Sequence, residues 1–323
     1  MNISFIGAGK IARRVAETLV RMEGVRLYAV AARDKGRAET FAREFGFEKS
    51  FGSYEDMLRD DGTGLVYINT TTSHHAEHIE MCINAGRPSL CEKAFTTTAD
   101  EARRALSLAS RKGVFVGEAL WPRYMPMAET IREIIGSGRL GRITSLHANL
   151  GYPVGHVERL KRPELSGGAL LDIGVYPLAF ASLCFGDRVE SFESAAEISD
   201  TGVDTSSYTR LKYENGRRAY LYATSESLSD RRGAIFGDEG YAVVENINNF
   251  EEVCIFGADN KLVERIAAPE QISGYEYQFE SSINAIRKGK IECGEWNHGQ
   301  IIGLMELMDG IRHSWGMYYP VEL

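Results

Sequence analysis

Several features that mark other protein classes are missing from this sequence of 323 residues. There is no excess of positive charge, because 37 Lys and Arg stand against 45 Asp and Glu and give a net charge of −8. A general nucleic-acid binder needs a basic surface, so this class is disfavoured. No apolar run approaches the roughly 20 residues of a membrane span. The N-terminus enters a strand-like run directly, without the charged and apolar regions of a secretory signal. We therefore expect no nucleic-acid partner and no membrane partner.

Cysteine is scarce and shows no pairing pattern. The five cysteines are odd in number and form no Cys-x-x-Cys; they are Cys82, Cys91, Cys184, Cys254 and Cys293. Such usage is typical of reduced thiols packed as small hydrophobic side chains. It predicts a cytoplasmic enzyme.

The composition is that of a globular protein, with 44% hydrophobic and 25% charged residues, which argues against disorder. A prior of about 150 residues per domain suggests two domains. The sequence contains no internal repeat and no low-complexity linker, so we expect a tight boundary near residues 118–122. The predicted domains are residues 1–120 and 121–323, with the C-terminal helices either kept in the second domain or packed back on the first.

The chain up to residue 118 alternates between short apolar runs and stretches of helical periodicity. This alternation predicts a parallel sheet with crossover helices, which binds ligands at the carboxyl ends of its strands. The expected strands are Asn2–Ile6, Val25–Ala32, Leu65–Asn69, Pro88–Cys91 and Val114–Gly117, and the expected helices are Lys10–Met22, Lys35–Phe45, His74–Ala85 and Ala99–Lys112.

Beyond residue 120, β-branched and aromatic runs between turn signals predict a mostly antiparallel sheet. Its expected strands are Ile143–Gly151, Val189–Ile198, Ser207–Tyr213, Arg218–Ser225, Gly233–Phe236, Tyr241–Glu245, Glu252–Phe256 and Leu262–Ile266. Expected helices are Met125–Ile135, Gly168–Phe185, Tyr275–Arg287 and Gly299–Ser314. The sequence thus predicts an α/β fold, in which a dinucleotide-binding domain precedes an α+β domain with a large open sheet. A long run of strands with few helices leaves one sheet face wet or paired, so we expect a homodimer or higher oligomer through that face.

The strongest local motif follows the first predicted strand and reads Gly7-Ala8-Gly9-Lys10-Ile11-Ala12. It fits G-x-G-x-x-G/A at the start of a predicted helix, whose N-terminus attracts an anion. Gly7 permits a tight turn, Gly9 leaves room for a pyrophosphate, and Ala12 lets helix and strand pack closely. A glycine turn alone occurs in many α/β proteins, but its place in a βαβ series favours dinucleotide binding.

The end of the second strand predicts which dinucleotide binds. An NAD-type site expects an acidic residue there for the ribose 2′-hydroxyl, whereas this sequence has Ala32 followed by Arg33. A guanidinium pairs well with a 2′-phosphate. Asp34 comes one residue late and is expected to cap the next helix. Arg37 is either a second phosphate ligand or a solvated helix charge. We expect a preference for NADP(H) over NAD(H).

Two further strand ends carry polar residues. Glu92 and Lys93 follow the strand that ends at Cys91, at the edge of the sheet where ligands bind. This pair is either a surface ion pair or a cofactor-side pair in which the lysine tunes a neighbouring acid. Thr70 and Thr71 follow another strand and are also candidates for cofactor binding.

Asp172 and Tyr176 lie on one face of the predicted helix Gly168–Phe185, because they are four residues apart. The rest of that helix is apolar, so a carboxylate and a phenol need partners or a cavity. A structural Tyr–Asp pair is the alternative. Beside a dinucleotide site, the pattern favours an acid–base role.

Other polar residues are weaker candidates. His74, His75 and His78 begin a helix, but no Asp, Glu or Cys completes a ligand set, so no metal is expected. We prefer His75 as a polar cleft residue near the cofactor. Trp121 and Arg123 either stack and hydrogen-bond in the cleft or pack between domains.

Together these motifs resemble the glucose–fructose oxidoreductase, inositol dehydrogenase and rhizopine-catabolism (Gfo/Idh/MocA) family over essentially the whole chain. The likeness rests on the glycine motif, on Cys91-Glu92-Lys93, on Glu118-Ala119-Leu120-Trp121-Pro122-Arg123 and on Gly167-Gly168-Ala169-Leu170-Leu171-Asp172-Ile173-Gly174-Val175-Tyr176. The last two are similar to the branch of dimeric dihydrodiol dehydrogenases and NADP-dependent D-xylose dehydrogenases, and Tyr176 stands where many relatives carry His.

The resemblance implies a Rossmann domain, a nicotinamide cofactor, a sugar, polyol or related carbonyl substrate, and catalysis by Lys93 and Tyr176. Asp172 is expected to orient substrate hydroxyls. The family usually reads Glu-Lys-Pro, and Ala94 replaces that proline.

Three functions remain open at this point. The first is a dehydrogenase whose substrate-binding candidates are Trp121, Tyr152, His156, Asp172 and Tyr176. The second is a sensor or regulator that binds the cofactor without turnover, although such a protein need not keep Lys93, Asp172 and Tyr176. A methyltransferase or other Rossmann-type binder would not need the Glu-Lys strand end.

Overall fold

The chain divides into two compact units in a computed structural model that describes residues 1–323. The first unit consists of Met1–Trp121 and Gln271–Met305, and the second of Pro122–Glu270 and Glu306–Leu323. The second unit therefore interrupts the first in the sequence. A segment of about 35 residues returns to complete the first unit.

Strands and helices alternate through the first unit. In chain order they are β1 (Asn2–Ile6), α1 (Lys10–Leu19), β2 (Arg26–Ala31), α2 (Lys35–Phe45), β3 (Lys49–Phe51), α3 (Tyr54–Arg59), β4 (Leu65–Ile68), α4 (His75–Asn84), β5 (Ser89–Glu92), α5 (Ala99–Lys112) and β6 (Val116–Ala119). The returning segment adds α8 (Glu276–Arg287).

The six strands form one parallel sheet in the order β3-β2-β1-β4-β5-β6. The residues of β4, β5 and β6 are all buried, as expected of a sheet covered by helices on both faces. This strand order is that of the Rossmann fold. The chain adds strands toward one edge of the sheet from β1 to β3 and toward the other edge from β4 to β6. Ligands of such sheets bind at the carboxyl ends of the strands beside this reversal.

The sequence predicted five of these strands and missed β3 and α3. β3 has only three residues and α3 only six, too few to show a period of 2.0 or 3.6 residues. Ser53 caps α3 by accepting a hydrogen bond from the Asp56 amide at 3.2 Å. This cap is a local signal that the pattern analysis did not use.

The second unit is built on a larger sheet. Its elements are α6 (Pro126–Gly136), β7 (Ile143–Gly151), α7 (Val175–Phe185), β8 (Val189–Ile198), β9 (Asp204–Tyr213), β10 (Arg218–Thr224), β11 (Gly233–Gly237), β12 (Gly240–Glu245), β13 (Glu252–Gly257) and β14 (Leu262–Ala267). A last helix, α9 (His298–Ser314), belongs to the first unit up to Met305 and to the second from Glu306.

The eight strands have the order β14-β13-β12-β11-β7-β10-β9-β8. Every neighbouring pair is antiparallel except β7 and β10. The predicted mostly antiparallel sheet is confirmed. α7 packs on β7 and β10, while Tyr208 and Tyr220 are exposed by 65% and 41%. One face of this part of the sheet is therefore covered by a helix, and exposed tyrosines lie on its strands.

The helix expected at Gly168–Phe185 begins differently from the prediction. Leu170–Gly174 forms a π-helical turn, and regular α-helix follows as α7. The stretch Pro163–Phe185 is long and apolar enough to span a membrane, but 83% of its most apolar window is buried inside the fold. Its α-helical part, α7, packs on β7 and β10, so its apolar character is explained by packing.

Candidate active site

The glycine motif forms a tight turn between β1 and α1. Gly7 has a φ of +109°, and a Cβ atom on it would lie 2.6 Å from Asn69 Oδ1. A side chain there is excluded twice, by the backbone conformation and by the close approach. The position above Gly9 is open, with nothing within 4 Å of an added Cβ atom. Ala12 is fully buried, as expected where a helix packs closely against a strand.

The N-terminus of α1 suits the phosphates of a dinucleotide. Gly9 is the N-cap and offers no side-chain hydrogen bond, and the first turn holds no acidic residue. Its first amides, beginning at Lys10 and Ile11, therefore lack a side-chain acceptor, and the helix dipole favours an anion there. Asn69, which follows β4, has a buried Oδ1 without a hydrogen-bond partner. Asn69 is therefore a further candidate site residue, which the sequence analysis did not name.

At the end of β2, the positive charge predicted from the sequence is present. Ala32 is buried, while Arg33 and Arg37 are exposed. The Arg37 amide donates to Asp34 Oδ1 at 3.1 Å, which confirms Asp34 as the cap of α2. The half-buried Tyr54 lies near both arginines, whose charges partly offset the burial that raises its pKa. An aromatic ring beside two guanidinium groups suits an adenosine 2′-phosphate. Tyr54 was not predicted as a site residue, because α3 was not predicted.

The histidine cluster follows β4. Thr70 Oγ1 lies 2.9 Å from His78 Nδ1, and Thr71 Oγ1 lies 2.9 Å from His74 Nδ1. The imidazole rings of His74 and His78 stack with centroids 5.9 Å apart. Burial lowers the pKa of His78 to about 4. No group of three or more His, Cys, Asp or Glu side chains is placed to hold a metal ion.

His75 is buried and faces two backbone carbonyls. Nδ1 lies 2.9 Å from Ala94 O, and Nε2 lies 3.1 Å from Thr70 O. Burial lowers the pKa of His75 to about 4, against the opposing effect of both carbonyls. The ring therefore links the end of β4 to the peptide after Lys93, and the Lys93–Ala94 peptide bond is cis. Direct contact of His75 with a cofactor stays a prediction.

Two buried carboxylates lie at the ends of neighbouring strands. Glu92, at the end of β5, accepts a hydrogen bond from Tyr67 Oη. Glu118, in β6, accepts one from Trp296 Nε1 at 2.7 Å. Burial raises the pKa of Glu118 to about 7, with Glu92 raising it further and Lys93 opposing the rise. The half-buried Lys93 thus belongs to a charged cluster rather than to a solvated surface pair.

Trp121 and Arg123 separate into different units. Trp121 is buried and packs on Tyr275, with ring centroids 4.5 Å apart. Arg123 is 4% exposed, and its guanidinium donates to Ala179 O and Ser182 Oγ at 3.4 Å each. These are contacts of a residue that packs against α7. The expected contacts of both residues with cofactor, and of Trp121 with substrate, stay predictions.

The second unit holds the remaining candidates. Asp172 lies in the π-helical turn and forms an ion pair with Arg159 at 3.0 Å. Tyr176 follows in the first turn of α7 and is 9% exposed. His156 is exposed, and the Tyr152 hydroxyl donates to Asn248 Oδ1 at 3.3 Å. Carboxylate, guanidinium and phenol from one short stretch can bind hydroxyl groups and transfer a proton.

A Rossmann sheet with an open glycine turn, a helix N-terminus without a side-chain cap and two arginines after β2 defines a dinucleotide-binding protein. Residues 1–120 match the family described as "Oxidoreductase family, NAD-binding Rossmann fold", and residues 128–243 match the "GFO/IDH/MocA C-terminal domain". The chain belongs to the Gfo/Idh/MocA family, as its motifs predicted. It is an NAD(P)-dependent dehydrogenase or reductase acting on CH–OH groups.

Full-length relatives agree with this assignment. Trans-1,2-dihydrobenzene-1,2-diol dehydrogenase from Mus musculus is 29% identical over 98% of this chain and 97% of its own. The Xenopus laevis protein of the same name is 30% identical over 90% of each chain. Among solved structures, the 3-ketoreductase KijD10 from Actinomadura kijaniata, in complex with TDP-benzene and NADP, has a TM-score of 0.86 at 25% identity, covering 97% of this chain and 96% of its own. Levoglucosan dehydrogenase, in complex with NADH and levoglucosan, has a TM-score of 0.87 at 19% identity, covering 98% and 97%, and shows the shared fold.

Proposed function

We propose that this protein oxidises or reduces a sugar, polyol or related carbonyl or dihydrodiol with NADP(H). The observation that carries the proposal is the start of α7. This helix is otherwise apolar and buried, yet Tyr176 lies in its first turn, and Asp172 just before it pairs with Arg159. Such polar groups on a core helix are costly unless they serve a partner or a ligand. The relatives named as dihydrodiol dehydrogenases and a 3-ketoreductase support the substrate class.

Tyr176 is the proposed acid–base group. Bound NADP(H) would supply or accept the hydride, and a proton must leave or reach the substrate oxygen in the same step. A free phenol has a pKa near 10, which is poor for a base at neutral pH. A neighbouring ammonium group favours the phenolate. We assign that role, and polarisation of the substrate oxygen, to Lys93.

Asp172 serves binding rather than proton transfer. An ionised carboxylate close to the phenol would oppose formation of the phenolate. The Arg159 guanidinium donates to Asp172 Oδ1 at 3.0 Å, and the carboxylate oxygens can also accept hydrogen bonds from substrate hydroxyls.

The preference for NADP(H) rests on the end of β2. Ala32 places no negative charge there, and Arg33 and Arg37 are exposed beside Tyr54. A 2′-phosphate would meet cations and an aromatic face rather than the carboxylate of an NAD-type site.

A substrate screen tests the function. Sugars, polyols, dihydrodiols and dicarbonyls are incubated with the full chain, and absorbance of the reduced nicotinamide is followed with NADP and NAD in parallel. We expect turnover of at least one hydroxyl or carbonyl compound. Tight cofactor binding without turnover of any compound would replace the enzyme with the sensor or regulator alternative.

A further inference from the structure

The backbone just before Asp172 and Tyr176 forms a turn that only glycine allows. Gly168 has a φ of +110°, and a Cβ atom on it would lie 2.2 Å from Asp204 Oδ1. Leu170 begins the π-helical turn directly afterwards. We call residues 167–170 the entry turn. Its path sets where the helix with Tyr176 begins.

Asp204 holds the entry turn from the side of the sheet. It is the first residue of β9, is 1% exposed, and its Oδ2 accepts a hydrogen bond from the Leu170 amide at 2.7 Å. The carboxylate thus takes the place of a cap at the start of the helical stretch. Burial raises its pKa to about 7, and the amides of Leu170 and Ala169 oppose that rise.

Tyr319 holds the same turn from the C-terminal segment. Its side chain is fully buried, and its hydroxyl donates to Gly167 O at 2.5 Å. The Arg312 guanidinium lies 4.6 Å from the centre of the Tyr319 ring. Glu322 accepts from the Tyr319 amide at 2.7 Å and also pairs with Arg312. Tyr319 is therefore held in place by a partly buried ion pair.

We propose that Asp204 and Tyr319 are positioning residues for the reaction assigned to Tyr176, an inference that rests on the proposed function. The Asp204 carboxylate and the Tyr319 hydroxyl are buried and form hydrogen bonds with backbone atoms of the entry turn. They therefore hold the backbone and do not contact substrate in the proposed role. Leu170 and Tyr176 are separated by fewer than two helical turns. A shift of the entry turn is therefore transmitted directly to the phenol and to Asp172. Misplacement of a reacting group by about 1 Å costs on the order of 10²-fold in rate.

Kinetics of four variants test this role. Asp204→Ala leaves the Leu170 amide without its acceptor, whereas Asp204→Asn keeps an amide oxygen in that place. We expect kcat to fall roughly 10- to 100-fold in Asp204→Ala and to recover mostly in Asp204→Asn, with the NADP Kd unchanged. Tyr319→Phe removes one hydroxyl and is expected to lower kcat by a smaller factor. Tyr213→Phe, at another buried tyrosine of the second unit, is the matched control and should leave kcat unchanged.

A double variant shows whether the two residues act on one element. Because Asp204 and Tyr319 hold the same turn, kcat of the double variant Asp204→Ala/Tyr319→Phe should fall by a smaller factor than the product of the two single-variant factors. Independent, multiplicative losses would assign the two residues to separate effects and overturn the proposal. So would wild-type kcat in folded Asp204→Ala, or a loss in Asp204→Asn as large as in Asp204→Ala.

Hydrogen exchange provides a readout that needs no substrate. Mass spectrometry of peptides covering residues 167–178 should show faster exchange in Asp204→Ala and Tyr319→Phe, but not in Tyr213→Phe. If Asp204→Ala does not fold, Tyr319→Phe and Asp204→Asn carry the test. If the wild-type protein turns over no compound, the proposed function fails while exchange still decides whether these residues hold the turn. Unchanged exchange in Tyr319→Phe would overturn the inference.

Discussion

Tyr176 is the residue on which the proposed chemistry depends most. Tyr176→Phe keeps the ring in its buried place and removes only the hydroxyl. We expect kcat to fall by a factor on the order of 10²–10⁴, the range for a positioned acid–base group. The cofactor Kd should not change, because the phosphate-binding candidates lie in the first unit. Steady-state kinetics and a cofactor titration measure both, and near wild-type turnover would move the proton to Lys93 or His156.

Lys93 is expected to act through its charge. Lys93→Met keeps the aliphatic stem but removes the ammonium group, so the phenolate of Tyr176 is less favoured. The rate should fall and the pH optimum should move upward. The pH profile of kcat/KM measures the shift. The control is Lys112→Met, at an exposed lysine that ends α5 and donates to Asn84 at the end of α4. An unmoved optimum would contradict the role.

Arg33 is expected to decide between the two cofactors. A charge-assisted contact contributes roughly 1.5–3 kcal/mol, or about one to two decades of affinity. Arg33→Ala should therefore raise the KM for NADP far more than the KM for NAD. Arg59→Ala, which breaks an exposed pair with Asp56 on α3, is the matched control. Equal losses for both cofactors would show that Arg33 only stacks on the adenine.

At the scale of single elements, strand β6 carries a buried carboxyl group, Glu118, whose pKa is raised. Burial holds the pKa of Glu118 at about 7, above its ordinary 4.5. Folded Glu118 therefore keeps a proton that the unfolded chain releases, so its contribution to stability falls as pH rises from about 4.5 to 7. Glu118→Gln cannot ionise and keeps an oxygen for Trp296 Nε1.

The resulting expectation is a smaller loss of stability between pH 5 and pH 8 in Glu118→Gln than in the wild type. The difference should be on the order of a few kcal/mol at most, measured by urea unfolding at both pH values. Burial of His75 acts in the opposite direction, but both proteins share it, so it cancels. An equal pH dependence in the two proteins would show that Glu118 titrates normally.

The regular elements were largely readable from local patterns. Apolar runs and helical spacing predicted the long strands and α1, α2, α4 and α5, because their periodicity reflects burial on one or both faces. The start of α7 was not readable. The first residue of its π-helical turn, Leu170, donates its amide to Asp204, which is 34 residues away in the sequence. No local pattern reports such a contact.

The candidate site divides in the same way. The glycine motif, Arg33 and Tyr176 could be proposed as candidates from the sequence because each has a fixed place relative to a strand or helix. Asn69 and Tyr54 were missed, since their importance comes from a neighbour brought close by the fold. Likewise, the role of His75 as a link between two carbonyls could not be read from spacing.

At the scale of the whole molecule, the open sheet predicts self-association. A groove of about 580 Å³ runs along strands β7 to β10 and is lined by Tyr208, Tyr220 and Tyr222, among others. Exposed aromatic rings on a sheet face favour pairing of that face. We expect a dimer at micromolar concentration by light scattering after size exclusion.

A charge placed in that groove tests the face itself. Tyr208→Glu should shift the protein toward monomer, because an unpaired carboxylate would be buried in the interface. Leu228→Glu, at a side chain of the same unit that is 75% exposed, should leave the dimer intact. A wild-type monomer would contradict the prediction directly.

The first unit is built from two segments that are far apart in the sequence, and this constrains its folding during synthesis. Trp296, which is fully buried against Glu118, is synthesised after the entire large sheet. On the ribosome, the nucleotide-binding unit therefore begins first but cannot complete its core until the segment ending at residue 305 has emerged. For the same reason, this unit cannot be exchanged between relatives as a single continuous cassette. A chimaera that transfers residues 1–121 alone separates Glu118 from its native partner, whereas one that also carries residues 271–305 keeps the pair together.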